Sequence, residues 1–180
     1  MALTLEEQRS AFASRRLTAM PIAGTIAWCV AGVCGALMTP TGAVWGLFFA
    51  TGSIVYLGIF VSRFTGEDFL DRSKPKNVFD SLFFSAILEA VLVYAIAIPF
   101  FLRDYTSLPL SVGILSGLMW APLSWIIEHW IGFVHAVGRT VLVVAVWYIF
   151  PTHRFVVVPI VIVAVYIFTI AVLETRWRRV

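Results

Sequence analysis

Six apolar stretches of about 20 residues each take up most of the 180-residue chain, and their length constrains the fold more than any other feature. An α-helix rises about 1.5 Å per residue, so about 20 residues cross the roughly 30 Å hydrocarbon core of a bilayer. Within that core, a single segment pairs its own backbone amides and carbonyls only as a helix. The predicted transmembrane helices cover residues 17–38, 42–62, 81–101, 108–127, 130–150 and 155–173.

The composition also indicates a membrane protein. Hydrophobic residues make up 61% of the chain and charged residues 13%, whereas soluble domains contain about 45–50% apolar and about 25% charged residues. The polar segments 1–16 and 63–80 are too short to form a soluble catalytic or nucleic-acid-binding domain. The predicted fold class is therefore all-α: a polytopic membrane protein whose six helices form one compact bundle, with residues 1–180 as a single domain.

Lys and Arg side chains predict the orientation of these helices. If residues 1–16 lie in the cytoplasm, ten of the 13 basic residues fall on that side, only Arg103 and Arg154 fall on the other, and Arg139 lies within the membrane. Cytoplasmic loops of membrane proteins carry this excess of basic residues. Both termini are therefore predicted in the cytoplasm, and in a bacterium the protein would be a multi-pass protein of the inner (plasma) membrane.

Two polar segments are predicted to lie at the membrane surface. Thr4 and Glu7 have the spacing of a capping box, so a short helix should follow Thr4 within residues 1–16. Residues 63–80 mix acids and bases and are predicted to be a solvated cytoplasmic loop near the headgroups. Asn77, near the end of that loop, is predicted to cap the third transmembrane helix.

Ionisable side chains inside the predicted helices are the candidates for a functional site. Such a group costs about 2.5–3.5 kcal/mol at mid-membrane on insertion scales, so its presence suggests a function. Glu89 and Arg139 lie about ten residues into the third and fifth helices, near the bilayer centre, and are predicted to pair or to share a hydrated cavity. On an unbroken helix, Glu128 and His135 lie on the same face as Arg139.

This set of residues favours anion binding or proton relay. Arg139 carries a permanent positive charge, and histidine titrates near neutral pH. Four hydroxyl-bearing residues are secondary candidates: Ser85, Tyr94, Ser124 and Thr140. The competing interpretation is that Glu89 and Arg139 form a structural pair, while Glu128 belongs to a polar turn between two helices.

No sequence motif indicates a metal or a cofactor. The three histidines are dispersed, whereas zinc needs three or four converging ligands. The chain also lacks the motifs of phosphate-binding loops, dinucleotide-binding turns and nucleophile elbows. We therefore predict no metal and no cofactor, and an enzyme is the less favoured class.

Small residues recur at every fourth position in parts of the first, second and fourth predicted helices. Such spacing lets helix backbones approach closely in lipid. Packing within one chain explains the pattern, and the alternative is an interface between copies of the chain or with a partner helix. The glycines concerned in the second and fourth helices are Gly42, Gly46, Gly113 and Gly117.

Several short segments carry a family resemblance. They are Ser14-Arg15-Arg16-Leu17 followed by Ala19-Met20-Pro21-Ile22-Ala23-Gly24, then Phe64-Thr65-Gly66-Glu67, Ser73-Lys74-Pro75-Lys76-Asn77 and residues 125–139. These segments resemble a family of small bacterial inner-membrane proteins of unassigned function, over nearly the whole chain. The resemblance implies no catalytic residues, so the functional argument depends on the residues themselves.

Three functional hypotheses follow. The first is a small integral membrane protein that binds or transports a small solute, an anion or a proton, with Arg139 as anchor, Glu89 as counter-ion and His135 as proton-exchanging group. The second is a structural or assembly factor that binds a partner helix. The third is a lipid-modifying enzyme that uses Glu128 and His135 at headgroup level. The expected partners are the lipid bilayer, a second copy of the chain, and a small-molecule or lipid ligand, but not nucleic acid.

Overall fold

Ten α-helices and one short 3₁₀ helix make up the described part of the chain, residues 3–71 and 77–179 of a computed structural model. Those residues are 81% helical and contain no strand, which confirms the all-α class. The helices are α1 (Leu5–Ala13), α2 (Ala19–Leu37), α3 (Pro40–Gly52), α4 (Ile54–Thr65), α5 (Val78–Leu92), α6 (Tyr94–Arg103), α7 (Leu108–Leu115), α8 (Trp120–Ile126), α9 (Ile131–Ile149) and α10 (Arg154–Trp177), with the 3₁₀ helix at Tyr105–Ser107.

Several helical segments are long and apolar enough to cross a membrane. A further span would be formed by α3 and α4 together, whose axes differ by 48° at a short break. Membrane-spanning helices are thus supported, and the count of six stays a prediction. The other five candidates are Ala19–Leu37, Val78–Arg103, Tyr105–Ile126, Ile131–Ile149 and Arg154–Trp177.

The predicted capping box at the N-terminus is confirmed. The Glu7 backbone N–H donates to the Thr4 hydroxyl at 3.2 Å, and the Glu7 carboxylate accepts from the Thr4 backbone N–H at 2.7 Å. Further along α1, the Phe12 side chain is buried and its ring lies 6.4 Å from that of Phe79 and 5.9 Å from that of Phe83. Helix α1 therefore packs against the beginning of α5.

Ion pairs also hold the N-terminal segment against the bundle. Each of three arginines contacts a carboxylate from a different part of the chain: Arg9 pairs with Glu128, Arg15 with Asp80, and Arg16 with Glu174.

The predicted cap of α5 is confirmed as well, since the Asn77 side chain accepts from the Phe79 backbone N–H at 2.9 Å. The part of the predicted loop at residues 72–76 lies outside the described residues.

Glu67, from the loop after α4, caps the start of α2. Its carboxylate accepts from the backbone N–H groups of Thr18 and Ala19, both at 2.8 Å, and the residue is buried. The first N–H groups of a helix have no partner within the helix and carry the positive end of its dipole, so a carboxylate stabilises them. Burial nevertheless raises the pKa of Glu67, against the lowering effect of the hydrogen bonds from Ala19, Thr65 and Thr18.

The raised pKa predicts how Glu67 affects stability as pH changes. The folded state binds the Glu67 proton more tightly than the unfolded state, so this group's contribution is greatest below the ordinary glutamate pKa, about 4.3, and is lost as pH rises through the folded pKa. Glu67→Gln keeps an acceptor for the two N–H groups but does not titrate. We therefore expect wild type to lose stability relative to Glu67→Gln as pH rises above the ordinary glutamate pKa. The measurement is the melting temperature of both proteins over a series of pH values that starts below that pKa. A relative gain by wild type would contradict the assignment.

The four glycines of the small-residue pattern all lie against other atoms of the same chain. A Cβ at Gly42 would approach Met38, one at Gly46 would approach Cys34, one at Gly113 would approach Ile162, and one at Gly117 would lie 2.9 Å from the Arg139 Cδ. Close packing within the bundle therefore accounts for all four positions without a second chain.

Candidate functional site

Arg139, the ninth of the 19 residues of α9, is completely buried inside the bundle. Its Nη1 donates to the Tyr166 hydroxyl at 3.1 Å and its Nη2 to the Ser116 hydroxyl at 2.9 Å. The guanidinium also lies over two aromatic rings, 5.5 Å from the centroid of Trp28 and 5.3 Å from that of Tyr166. Helices α2 and α10, together with the C-cap residue of α7, thus contribute the immediate surroundings of one cation on α9.

No carboxylate neutralises this cation within the described part of the chain. None of the ion pairs found there includes Arg139, and its Nε is buried without a hydrogen-bond partner. A buried guanidinium without a counter-ion is energetically unfavourable, and the cost is greater at membrane depth. Two hydroxyls and two aromatic faces offset only part of this cost, so the surroundings of Arg139 favour an incoming negative charge.

His135 lies one turn before Arg139 on α9 and is also buried. Its ring stacks on that of Trp120, with centroids 4.3 Å apart, and its Nδ1 lies 2.8 Å from the Thr169 hydroxyl. That hydroxyl donates to the Val165 carbonyl, so its oxygen accepts from Nδ1–H. The neutral ring then carries its lone pair on Nε2, which has no partner among the described residues.

A cavity of about 90 Å³ adjoins the two hydroxyls that Arg139 contacts. Its polar lining consists of Ser116, Tyr166, Thr51 and Tyr94, of which Thr51 and Tyr94 hydrogen-bond each other at 2.6 Å. The rest of the lining is mostly apolar and includes Met20, Ile87, Val91, Val112, Met119 and Trp120. The cavity therefore combines a mostly apolar wall with hydroxyls next to a buried cation.

One hydroxyl in this cavity has a proton available for a ligand. Ser116 donates to the Val112 carbonyl and Thr51 to the Leu47 carbonyl, which makes Tyr94 the donor to Thr51. The Tyr166 hydroxyl accepts from Arg139 and has no acceptor for its own proton among the described residues. A phenol that accepts a bond from a cation is a stronger donor, because bonds in a chain polarise one another.

The family of the chain is shown by a family model that matches residues 5–176. The chain belongs to DUF7010, a family of unknown function. This confirms the resemblance to a family without an assigned function. No match was found among curated proteins or among solved structures. The function of this DUF7010 chain must therefore be inferred from its own geometry.

The predicted pairing of Glu89 with Arg139 is wrong in this DUF7010 chain. Glu89 is exposed, whereas Arg139 is fully buried, and no ion pair joins them. The buried face of α5 is formed by Phe83, Ala86 and Ile87. Glu89 follows Ile87 by two residues, about 200° around the helix, so its side chain points away from the bundle. Glu89 instead lines an outward-facing groove between α5, α6 and α7 and is not among the residues that line the cavity.

The predicted alignment of Glu128 with His135 and Arg139 is also wrong, because it assumed an unbroken helix. Helix α8 ends at Ile126 and α9 begins at Ile131. Glu128 lies between them with a φ of 48°, in the left-handed region, and its carboxylate pairs with Arg9 of α1. Glu128 of this DUF7010 chain therefore belongs to a polar turn between two helices, as the competing interpretation of the sequence predicts.

Of the four secondary hydroxyl candidates, Tyr94 alone lines the cavity. The other three donate to carbonyl oxygens near them in the chain: Ser85 to Ser81, Ser124 to His129, and Thr140 to Ala136. Sequence reasoning missed Ser116 and Tyr166, the two direct partners of Arg139. Tyr166 lies in a long apolar run of α10, and no local pattern distinguishes it from lipid-facing residues there.

Over residues 3–71 and 77–179, no group of three or more His, Cys, Asp or Glu side chains is positioned to hold a metal ion.

Proposed function

We propose that this DUF7010 protein is a small membrane carrier that binds a monoanionic solute with a short apolar part in the cavity beside Arg139. The observation that carries the proposal is the buried guanidinium of Arg139, which no carboxylate of the described chain neutralises and whose two hydroxyl partners line a cavity. The basic residues support both termini in the cytoplasm and a location in the inner membrane, with six spans if α3 and α4 act as one.

Electrostatics supports an anion over a neutral or cationic solute. A cation without a counter-ion in a low-dielectric interior interacts much more strongly with a nearby anion than it would in water. Tyr166 lines the cavity and its hydroxyl accepts from Arg139, which leaves the hydroxyl proton for an anion bound there. Hydrogen bonds to charged groups contribute about 1.5–3 kcal/mol, roughly twice the value of neutral ones.

The size and lining of the cavity limit the solute. An apolar cavity of roughly 150 Å³ holds benzene, so one of about 90 Å³ suits a solute of about four or five non-hydrogen atoms. Because the wall is mostly apolar, a short-chain monocarboxylate fits better than a highly hydrated inorganic anion. Acetate and propionate are therefore the appropriate probes.

Propionate and propionamide provide the test, because they have nearly the same shape and differ in charge. We expect saturable binding of propionate, and none of propionamide, to purified protein in nanodiscs by calorimetric titration. Tyr166→Phe should weaken propionate binding by about 10-fold or more, because it removes the one lining hydroxyl whose proton no described residue accepts. Equal binding of both probes, or saturable binding of neither, would contradict the anion site.

Transport requires a second measurement. We expect labelled propionate to exchange into propionate-loaded proteoliposomes faster than into protein-free liposomes at pH 8, where little of the permeant neutral acid exists. Saturable binding without such exchange would reduce the proposal from a carrier to a binding protein or sensor.

The other two functional hypotheses receive less support. The four glycines of the small-residue pattern contact their own chain, so they do not leave a glycine-rich face for a partner helix. The enzyme hypothesis needs Glu128 and His135 side by side at headgroup level. Glu128 instead pairs with Arg9, and His135 is buried among Trp120, Tyr166 and Thr169.

A further inference from the structure

A second concave surface lies outside the bundle, between the α8–α9 turn and the last turns of α10. It encloses about 580 Å³, within the range of about 300–1,000 Å³ typical of ligand sites. It is separate from the cavity beside Arg139, with which it shares no lining residue. The residues that give this groove its chemistry are His129, Trp130, Phe168, Val172, Arg176 and Arg179.

The groove has an apolar end and a cationic end. The rings of Trp130 and Phe168 lie 6.2 Å apart and form the apolar end with Val172. Arg176 and Arg179 stand at the other end, at the terminus of α10. Phe168 and Arg179 are 11 residues apart, or about 16 Å along a helix. Phospholipids have the same division, with an apolar chain next to a charged headgroup.

No described carboxylate pairs with either arginine of the groove, whereas the nearby Arg16 and Arg178 both pair with Glu174. Arg176 donates to the backbone carbonyls of Ala13 and Arg15 and forms no ion pair with a described carboxylate. Arg179 has no side-chain partner in the described part of the chain. The nearest acid on α10, Glu174, instead pairs with Arg16 at 2.7 Å and with Arg178 at 3.3 Å.

His129 adds a neutral hydrogen-bond donor to the cationic end. The Ile131 backbone N–H donates to its Nδ1 at 3.3 Å. Burial, and secondarily the charge of Arg176, lower the pKa of His129. The neutral ring therefore carries its proton on Nε2, which is available to an acceptor. Two arginines and one imidazole N–H form a set of donors suited to phosphate oxygens.

We propose that this groove is a binding site for an anionic phospholipid. Arg176, Arg179 and the Nε2–H of His129 hold the headgroup phosphate, and an acyl chain lies along Trp130, Phe168 and Val172. Charge complementarity favours a headgroup with net negative charge, since the groove has two un-neutralised cations and no acidic residue in its lining. A zwitterionic lipid would place the cation of its own headgroup next to the two arginines, which would repel it. A free phosphate would leave the apolar end of the groove unoccupied.

The test compares lipids that differ in headgroup alone. Protein purified in mild detergent is mixed with phosphatidylglycerol or phosphatidylcholine of identical acyl chains, and retained lipid is counted by native mass spectrometry. We expect about tenfold or greater preference for phosphatidylglycerol, because each basic residue near an anionic surface contributes about fivefold. Soluble glycerol phosphate, which lacks acyl chains, should not displace the bound lipid at equal concentration.

Arg178 provides the matched control. Arg179→Gln and Arg178→Gln remove the same charge from the same end of α10, yet only Arg179 lines the groove. We expect Arg179→Gln to lower phosphatidylglycerol retention about fivefold, and Arg178→Gln to leave it close to wild type. Equal losses in the two variants would show diffuse attraction to a basic surface and overturn the site. Equal retention of both lipids, or displacement by glycerol phosphate, would overturn it as well.

Discussion

Replacing Arg139 with methionine is expected to abolish saturable propionate binding while leaving the protein folded. Arg139 is the buried cation next to the cavity, and without it an anion would enter an apolar site with no compensating charge. We expect affinity to fall about 100-fold or more, equivalent to about 3 kcal/mol, measured by calorimetric titration in nanodiscs. Methionine is unbranched and adaptable, and replacing a buried ion with a hydrophobic residue is often neutral or stabilising.

Two further variants make this result interpretable. Arg139→Lys keeps the charge but cannot donate to Ser116 and Tyr166 together through a planar fork, so we expect intermediate affinity. Glu89→Gln is the matched control, because it removes a charge from a predicted span without touching the cavity. Its propionate affinity should equal that of wild type.

The contrary outcomes are equally specific. Wild-type propionate affinity in Arg139→Met would exclude the guanidinium as the anion anchor. A large gain of affinity in Glu89→Gln would restore the Glu89–Arg139 pairing suggested by the sequence, because removal of a counter-ion would free the guanidinium for the anion. If Arg139→Met does not fold, Arg139→Lys and Tyr166→Phe still test the same site.

Much of the helical framework could be predicted from the sequence. Long apolar runs determine where spans can lie, and local cap chemistry at Thr4 and Asn77 determines where α1 and α5 begin. The sequence predicts a break between α8 and α9 near Glu128, but it does not show how that break turns the side chains of α9 relative to those of α8. Glu128 adopts a left-handed backbone conformation at a position without glycine or proline, so no turn residue revealed that the helical register restarts at Ile131.

The interior of the site was harder to predict, because lipid-facing residues are as apolar as core residues. On α5, the buried Phe83 and Ile87 do not differ in character from the exposed Phe84 and Leu88. Hydrophobic periodicity therefore could not show that Glu89 faces outward. The depth of Arg139 was predictable from counting residues, whereas its contacts depend on α7 and α10, which are distant in sequence.

Replacing Gly132 with alanine is expected to destabilise the protein more than a change of one methyl group would suggest. At this position the first turn of α9 passes directly against α8. An added Cβ would lie 2.7 Å from the Ser124 Cβ, 2.8 Å from the Ser124 backbone nitrogen, and closer still to the Trp120 carbonyl oxygen. Backbone atoms cannot rotate away, so the two helices must separate. Overpacking of this kind costs about 1–3 kcal/mol and occasionally more.

Gly138 on the same helix is the matched control, because a Cβ added there would meet no heavy atom within 4 Å. Gly138→Ala should therefore melt at or above the wild-type temperature, since alanine favours helix more than glycine does. Gly132→Ala should melt about 4–10 °C lower in the same detergent. It should also weaken propionate binding, because Trp120 stacks on His135 and lines the cavity. Equal melting of the two variants would mean that α8 can move from α9 without cost, and that this crossing does not hold Trp120 in place.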